Sequence, residues 1–473
     1  MLQAQSSALE VTRALSDCAR AVRFNFGEDT AMVAVQHMLL QTVDLFKTTG
    51  DIGLNPQNIF ALGKVYSNNS HVIRTLREMG VTVVDSTPPE PGEFHSYFQR
   101  DIKRLWTVAA DTLRGRKIKR LLVLDDAGVC IINVPPDVLR RYAVCGVEQT
   151  SSGMFLFEET PPPFPVISWA RAAVKLKIGG PIFSHSFIDK LKTEFLHGRS
   201  VRGKRFGIIG LGSIGRGVAR LAIREGGEVL FYDPDPDLHI PKHLRDYLIR
   251  LDSLEELTTC SDYVVGCSGR NPFSEKWPLK HKPGLRLFSA SGGDQEFGTI
   301  IKDLKTRPDF KVDPDTWDIT SKCGPSGSLH IAYRGYPYNF VSRALEAVPG
   351  PIVQLETGGL LAALIQARIY LDLNEEKRQA KRIHRISPMA QRFVYKRWLQ
   401  AMKERRINIA ELFGYEPELL RAAQHERWFA EHSEPSTYDS RVEEMVSRVI
   451  CERRGASSPL RVKRETDPNL SAF

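Results

Sequence analysis

The segment FGIIGLGSIGRGVARLA narrows the folds open to this chain more than any other stretch. It carries Gly210, Gly212 and Gly215 in GxGxxG spacing, behind an apolar run from Phe206 to Ile209 and ahead of Val218, Ala219 and Leu221 at helical spacing. In such a strand–turn–helix the first glycine makes a tight turn. The second lets the backbone approach a pyrophosphate, and the third lets helix and strand pack closely. The helix N-terminus, with Ser213 and Ile214 in its first turn, offers N–H groups and partial positive charge to phosphates. The following strand, EVLFYDPDPD, ends at Asp233, where a carboxylate accepts from ribose hydroxyls and repels a 2′-phosphate. No basic residue follows at once, so NAD is the expected cofactor.

Around this motif the chain alternates strand and helix signals. NIFALGKVY (58–66), VTVVD (81–85) and KRLLVLDD (119–126) read as strands, and 71–79 and 97–114 as helices. Residues 8–47 read as helical, with apolar positions three and four apart. Pro-rich loops fall at 88–91 and 161–165, and 181–198 reads as a helix. The expected class is therefore α/β. It has a substrate domain over 1–195, completed by the apolar helix 355–372, and a Rossmann-type NAD-binding domain over 196–345. A helical, basic C-terminal extension (373–473) ends in a disordered tail, SSPLRVKRETDPNLSAF.

Composition excludes several classes. Of 473 residues, 42% are hydrophobic, which suits a chain with large cores rather than a disordered one. No apolar run reads as a membrane span, and the N-terminus lacks the pattern of a signal peptide, so a cytoplasmic protein is expected. The seven cysteines (Cys18, Cys130, Cys145, Cys260, Cys267, Cys323, Cys451) include no CxxC pair, so neither a zinc site nor a disulfide framework is expected. The net charge is +9, with eleven Lys/Arg and one acid between Lys377 and Arg406. A solvated face or a subunit contact accounts for that segment more simply than nucleic acid does.

Outside the glycine motif, several segments resemble S-adenosylhomocysteine hydrolase in the same order: QHMLLQT (36–42), NIFALGKVYSNN (58–69), LVLDDAG (122–128), GVEQTSSG (146–153), VKLKIGG (174–180), SGGDQEFG (291–298) and GYPYNF (335–340). The resemblance covers about residues 20 to 372. It implies a catalytic set of His37, Asp126 and Lys175, with Gln41, Glu148 and Gln149 at the substrate. Thr150, Ser151, Ser152 and Asn339 would join the glycine motif around NAD. It also implies a homo-oligomer, and transient oxidation of a ribose 3′-hydroxyl in a nucleoside or adenosyl thioether.

The departures from that family are several. Gly179, Gly180, Ser184, Gly292 and Val348 stand where it has an aspartate, an asparagine, a cysteine and two histidines, with His185 and His330 as the nearest histidines that could replace a lost one. Two alternatives stay open: a degenerate NAD- and adenosine-binding regulator, and an NAD-dependent dehydrogenase of another small substrate. The glycine motif itself reads much like that of a D-2-hydroxyacid dehydrogenase. That family's substrate-holding arginine has no counterpart in LFSASGGDQEFG (287–298).

Overall fold

The computed structural model describes residues 10–273, 280–322, 327–373, 383–415, 417–434 and 439–450. Fifteen strands among them form two sheets. In chain order β1 (Thr30–Gln36), β2 (Ile59–Gly63), β3 (Thr82–Val84), β4 (Arg120–Asp125), β5 (Ala143–Glu148) and β6 (Val166–Ser168) belong to the first. Next come β7 (Arg205–Ile209), β8 (Glu228–Tyr232), β9 (Leu248–Arg250), β10 (Tyr263–Gly266), β11 (Arg286–Ser289), β12 (Lys311–Val312), β13 (Ile319–Lys322) and β14 (Ser328–Ile331), which form the second. The last strand, β15 (Ile383–Arg385), returns to the first sheet and pairs in parallel with β6.

The first sheet is parallel throughout, in the order β15-β6-β5-β4-β1-β2-β3. The second runs β12-β13-β14-β11-β10-β7-β8-β9, antiparallel only at the β12-β13-β14 end. Both are doubly wound α/β layers, as the alternation of strand and helix signals requires. In each, strand order reverses at one place, between β1 and β4 and between β7 and β10. The crevice outside the carboxyl ends of such a pair is where this architecture holds ligands.

The expectation of one helix over 8–47 is corrected. A helix spans Glu10–Ala21, then β1 crosses the sheet, and a second helix spans Leu40–Asp51. TAMVAVQ is buried at all seven positions because a central parallel strand is covered on both faces. Its apolar run therefore lacks the alternation of a half-buried strand. The basic stretch after 373 is not wholly helical either, since β15 lies within it. Helices Pro388–Glu404, Glu426–His432 and Ser440–Ile450 then share one apolar core with the first sheet, where Trp398 donates Nε1–H to the Ile352 carbonyl at 3.0 Å. The tail 457–473 and Cys323 and Cys451 lie outside the described residues.

One helix, Gly350–Leu373, is after all long and apolar enough to cross a membrane by length and composition. Every residue from Ile352 to Leu371 is buried within the protein, against β4, β5 and β6 on one side and the helices Glu10–Ala21 and Pro388–Glu404 on the other. It is a core helix, apolar all round because it is covered all round.

Candidate active site

At the carboxyl edge of the first sheet, the β1/β4 reversal brings two predicted residues together. His37 follows β1 and Asp126 follows β4, and His37 Nε2 lies 3.3 Å from Asp126 Oδ2. The neighbouring strands complete the group. Lys64, after β2, forms a short ion pair with Asp126 Oδ1. Gln149, after β5, donates Nε2–H to Asp126 Oδ2 at 2.6 Å. Ser67 Oγ lies 2.6 Å from His37 Nδ1.

Asp126 is thus fully engaged, and the Lys64 ammonium and His37 hold its carboxyl well below the usual carboxylate range against the cost of burial. Burial is the largest influence on Lys64 and acts to lower it, but the carboxylate of Asp126 wins and the ammonium stays protonated. His37 moves the other way. Burial, which outweighs the attraction of Asp126, pushes it below the usual histidine value. The imidazole is therefore neutral at pH 7. With Nε2–H on Asp126, Nδ1 accepts from the Ser67 hydroxyl.

Behind this cluster lie two further buried carboxyls, Asp125 and Glu148, register partners across β4 and β5. Burial pushes Asp125 up to about 7 and raises Glu148 well above its ordinary range. Glu148 Oε1 accepts from Thr150 N at 2.7 Å and Thr150 Oγ1 at 2.6 Å, and Thr150 Oγ1 in turn caps the helix Ser151–Glu159 through Gly153 N. Ser151 is exposed at that helix start, and Ser152 Oγ bonds Thr150 Oγ1 at 3.1 Å. Gln41 begins the helix after His37, its Oε1 buried without a hydrogen-bond partner.

The second sheet closes the site from the opposite side. Phe340 stacks on the His37 ring at 4.2 Å, with buried Asn339 beside it in the chain. Tyr66 stacks on Tyr336 at 4.9 Å, accepts from Gly293 N at 3.3 Å, and its carbonyl accepts from Tyr333 Oη at 2.6 Å. A side chain at Gly292 would begin 3.9 Å from Tyr66 Oη and 4.0 Å from Lys64 Nζ.

Lys175 sits in a π-helical turn (Val174–Gly179) that runs on into the helix Gly180–Lys190. Its Nζ pairs with Glu356 Oε2 at 2.8 Å, an oxygen that also accepts from Trp169 Nε1 at 2.8 Å. The same turn meets the glycine motif, where Ser213 Oγ donates to the Leu176 carbonyl at 2.6 Å. Ser184 Oγ donates to the Ile214 carbonyl at 3.0 Å. Lys175 is close enough to His37 to add its charge to the forces lowering it. His185 packs edge-on against Phe413 and His330 bonds Ser328, so neither joins the His37 cluster.

The cofactor cradle has the geometry its sequence demands. Gly210 turns at φ +85°, and a Cβ there would stand 2.8 Å from Ser268 Cα. A Cβ on Gly215 would stand 2.0 Å from the Gly210 carbonyl oxygen, whereas Gly212 faces open space, as a pyrophosphate site requires. Asp233 Oδ2 accepts from Leu211 N at 2.7 Å and so ties the end of β8 to the glycine turn. Glu296, fully buried, accepts from Ser291 Oγ at 2.6 Å and Gly269 N at 2.8 Å. It holds together the loops that follow β10 and β11, and burial pushes its carboxyl up to about 7.

Lys64, Tyr66, Ser67, Glu296, Phe340 and Glu356 are site residues that the sequence reading missed. Of these, Glu356 left a signal: an acid within a long apolar helix whose other acid, Asp372, stands near its end.

Residues 184–275 match the family model described as D-isomer specific 2-hydroxyacid dehydrogenase, NAD binding domain. A hydroxypyruvate reductase of Thermotoga maritima is 37% identical over 167 residues, 32% of this chain and 49% of that protein. An uncharacterized Mycobacterium tuberculosis protein, known from two strains, is 27% identical over 313 residues. That match takes in 65% of this chain and 58% of the relative, so the chain spans little more than half of the relative's length. Among solved structures, a Treponema pallidum D-lactate dehydrogenase aligns at TM-score 0.29 and 14% identity, over 58% of this chain and 75% of that one. A Paecilomyes thermophila glyoxylate reductase aligns at 0.25 and 16%, over 58% and 78%.

These findings correct the resemblance to S-adenosylhomocysteine hydrolase. The matched cofactor domain is that of the D-isomer specific 2-hydroxyacid dehydrogenases and the named relative is a reductase, so the expectations of a hydrolase and of ribose 3′-oxidation fall with it. The shared order of short segments reflects a common parallel α/β layout, in which glycines and acids recur at strand ends. The chain carries an NAD-binding Rossmann unit similar to that of the D-isomer specific 2-hydroxyacid dehydrogenases.

Proposed function

We propose that this protein is an NAD-dependent oxidoreductase acting on a small hydroxyl-bearing substrate held between the two sheets. The observation that carries the reading is the placement of His37, 3.3 Å from Asp126 at the β1/β4 reversal and capped by Phe340 from the side of the second sheet. Gly210, Gly212, Gly215 and Asp233 would hold the dinucleotide, which supplies a hydride acceptor for the carbinol carbon.

The chain's own part is the proton. When a substrate hydroxyl is oxidised, its proton reaches His37 Nδ1 through Ser67 Oγ, which takes the substrate proton as it gives up its own, and Asp126 stabilises the imidazolium through Nε2–H. Ser67 Oγ lies 2.6 Å from that nitrogen and 3.2 Å from the Lys64 carbonyl. Its single proton serves Nδ1 while the ring is neutral and turns to the carbonyl when the ring is charged. Lys64 and Gln149 keep Asp126 ionised and fixed throughout.

The test is absorbance at 340 nm with NAD and a panel of small secondary alcohols, alongside NAD titration by intrinsic fluorescence. Saturable NAD binding with NADH formation on at least one alcohol is the expected result. A protein that takes up no NAD, or binds it and reduces none on any member, ends the reading.

A further inference from the structure

The charges around His37 are arranged in closed pairs. Lys64 is matched by Asp126, and Lys175 by Glu356. Both lysines are tied to their carboxylates at hydrogen-bond distance, and both carboxylates are buried. Asp125 and Glu148, behind the cluster, contribute no positive charge and become negative whenever they lose a proton. The loop after β11, residues 290–294, faces Lys64 and Tyr66 with Gly292 and Gly293 and offers no cation of its own. Arg171 and Arg270, on neighbouring loops, both pack on Phe155 and share the carboxylate of Glu158. Both lysines at the His37 cluster are thus matched by a buried carboxylate.

A substrate carboxylate placed beside His37 would bring a negative charge into a buried group that is already balanced. That is costly unless a new cation meets it. The remaining polar groups are uncharged. Gln149 already gives its Nε2–H to Asp126, and the one Ser67 proton serves His37 or the Lys64 carbonyl, so neither brings the positive charge that a substrate carboxylate would need.

We infer that the site selects an uncharged, hydroxyl-rich substrate, an alcohol or its ketone with no carboxylate beside the reacting carbon, and that Asp126 and Glu356 enforce this by neutralising Lys64 and Lys175. The inference rests on the oxidoreductase reading and narrows it. It sets this protein apart in substrate from the 2-hydroxyacid dehydrogenases whose cofactor domain it resembles.

Matched pairs test it. Glycerol against glycerate, and propane-1,2-diol against lactate, each differ in CH2OH against a carboxylate beside the same carbinol carbon. The protein with NAD should turn over the neutral member of each pair at least tenfold faster by kcat/KM. Preference for the acid overturns the inference while leaving the oxidoreductase reading intact. If neither member reacts, oxalate titrated into the NADH complex decides, followed by NADH fluorescence. The parent should bind oxalate at least tenfold more weakly than Asp126→Asn, which unmasks Lys64. Glu356→Gln, which unmasks Lys175, serves as a second variant should the first fail to fold. Tight oxalate binding by the parent, or no gain in either variant, overturns the inference. Absence of NADH binding instead removes the reading beneath it.

Discussion

Gly179 and Glu356 are in such close contact that a Cβ on the glycine would stand 2.3 Å from Glu356 Oε1. The carboxylate that neutralises Lys175 thus comes from a separate helix and reaches its partner only because residue 179 has no side chain. Gly179→Ala should push that carboxylate off Lys175 and Trp169 and cost about 1–3 kcal/mol, the usual penalty for overpacking a core. Urea unfolding followed by tryptophan fluorescence checks this. An unchanged midpoint would mean that Glu356 moves aside freely.

Stability should fall as pH rises from about 5 to above 7. Asp125 and Glu296, both pushed up to about 7 by burial, stay protonated in the folded state after they have ionised in the unfolded chain. The folded state then binds more protons, so this stability is fully present below the unfolded values and is lost as pH climbs through 7. Asp126 works in the opposite direction, but only at more acid pH, since its carboxyl is held below the usual range. Glu296→Gln should remove part of the slope, about 2 kcal/mol between pH 5 and 7. Urea midpoints across that range test this, and equal slopes in parent and variant would contradict it.

His37→Asn should leave NAD affinity unchanged and lower kcat at least ~100-fold, the usual loss when a general base is removed. In the parent, the acid limb of the oxidation rate should fall below pH 6.5, because burial lowers His37 from its ordinary value. A rate profile whose acid limb lies above that value would show that His37 is not the group that titrates.

Gly210→Ala should abolish NAD binding. The residue turns at φ +85°, and its new Cβ would strike the Ser268 backbone. Asp233→Ala should weaken NAD about tenfold and narrow the gap to NADP, because it removes the carboxylate and frees Leu211 N. Fluorescence titration with both dinucleotides reads each effect, and an unaltered ratio for Asp233→Ala would place the ribose elsewhere.

What the sequence made legible followed from local rules. Gly210, Gly212, Gly215 and Asp233 are spaced along one strand–turn–helix, so their geometry could be read without knowing the rest of the chain. β1 could not, because a strand buried on both faces looks like a buried helix. β15 was hidden for a different reason. Ile383–Arg385 lies between basic residues, and only its pairing with β6 makes it a strand. The cluster around His37 and Asp126 draws Lys64 and Ser67 from one segment and Phe340 from another far along the chain, and no spacing within either announces that meeting. The likeness of short segments to another family misled because parallel α/β chains place similar residues at similar strand ends.

The first sheet has six of its strands by Ser168, yet its covering helix ends at Leu373 and its edge strand β15 is drawn from residues 383–385. During synthesis the first sheet is therefore started before the second and completed after it. Through the making of the whole NAD-binding unit, the apolar face destined for Gly350–Leu373 has no such cover, and the growing chain is at its most aggregation-prone until that helix emerges.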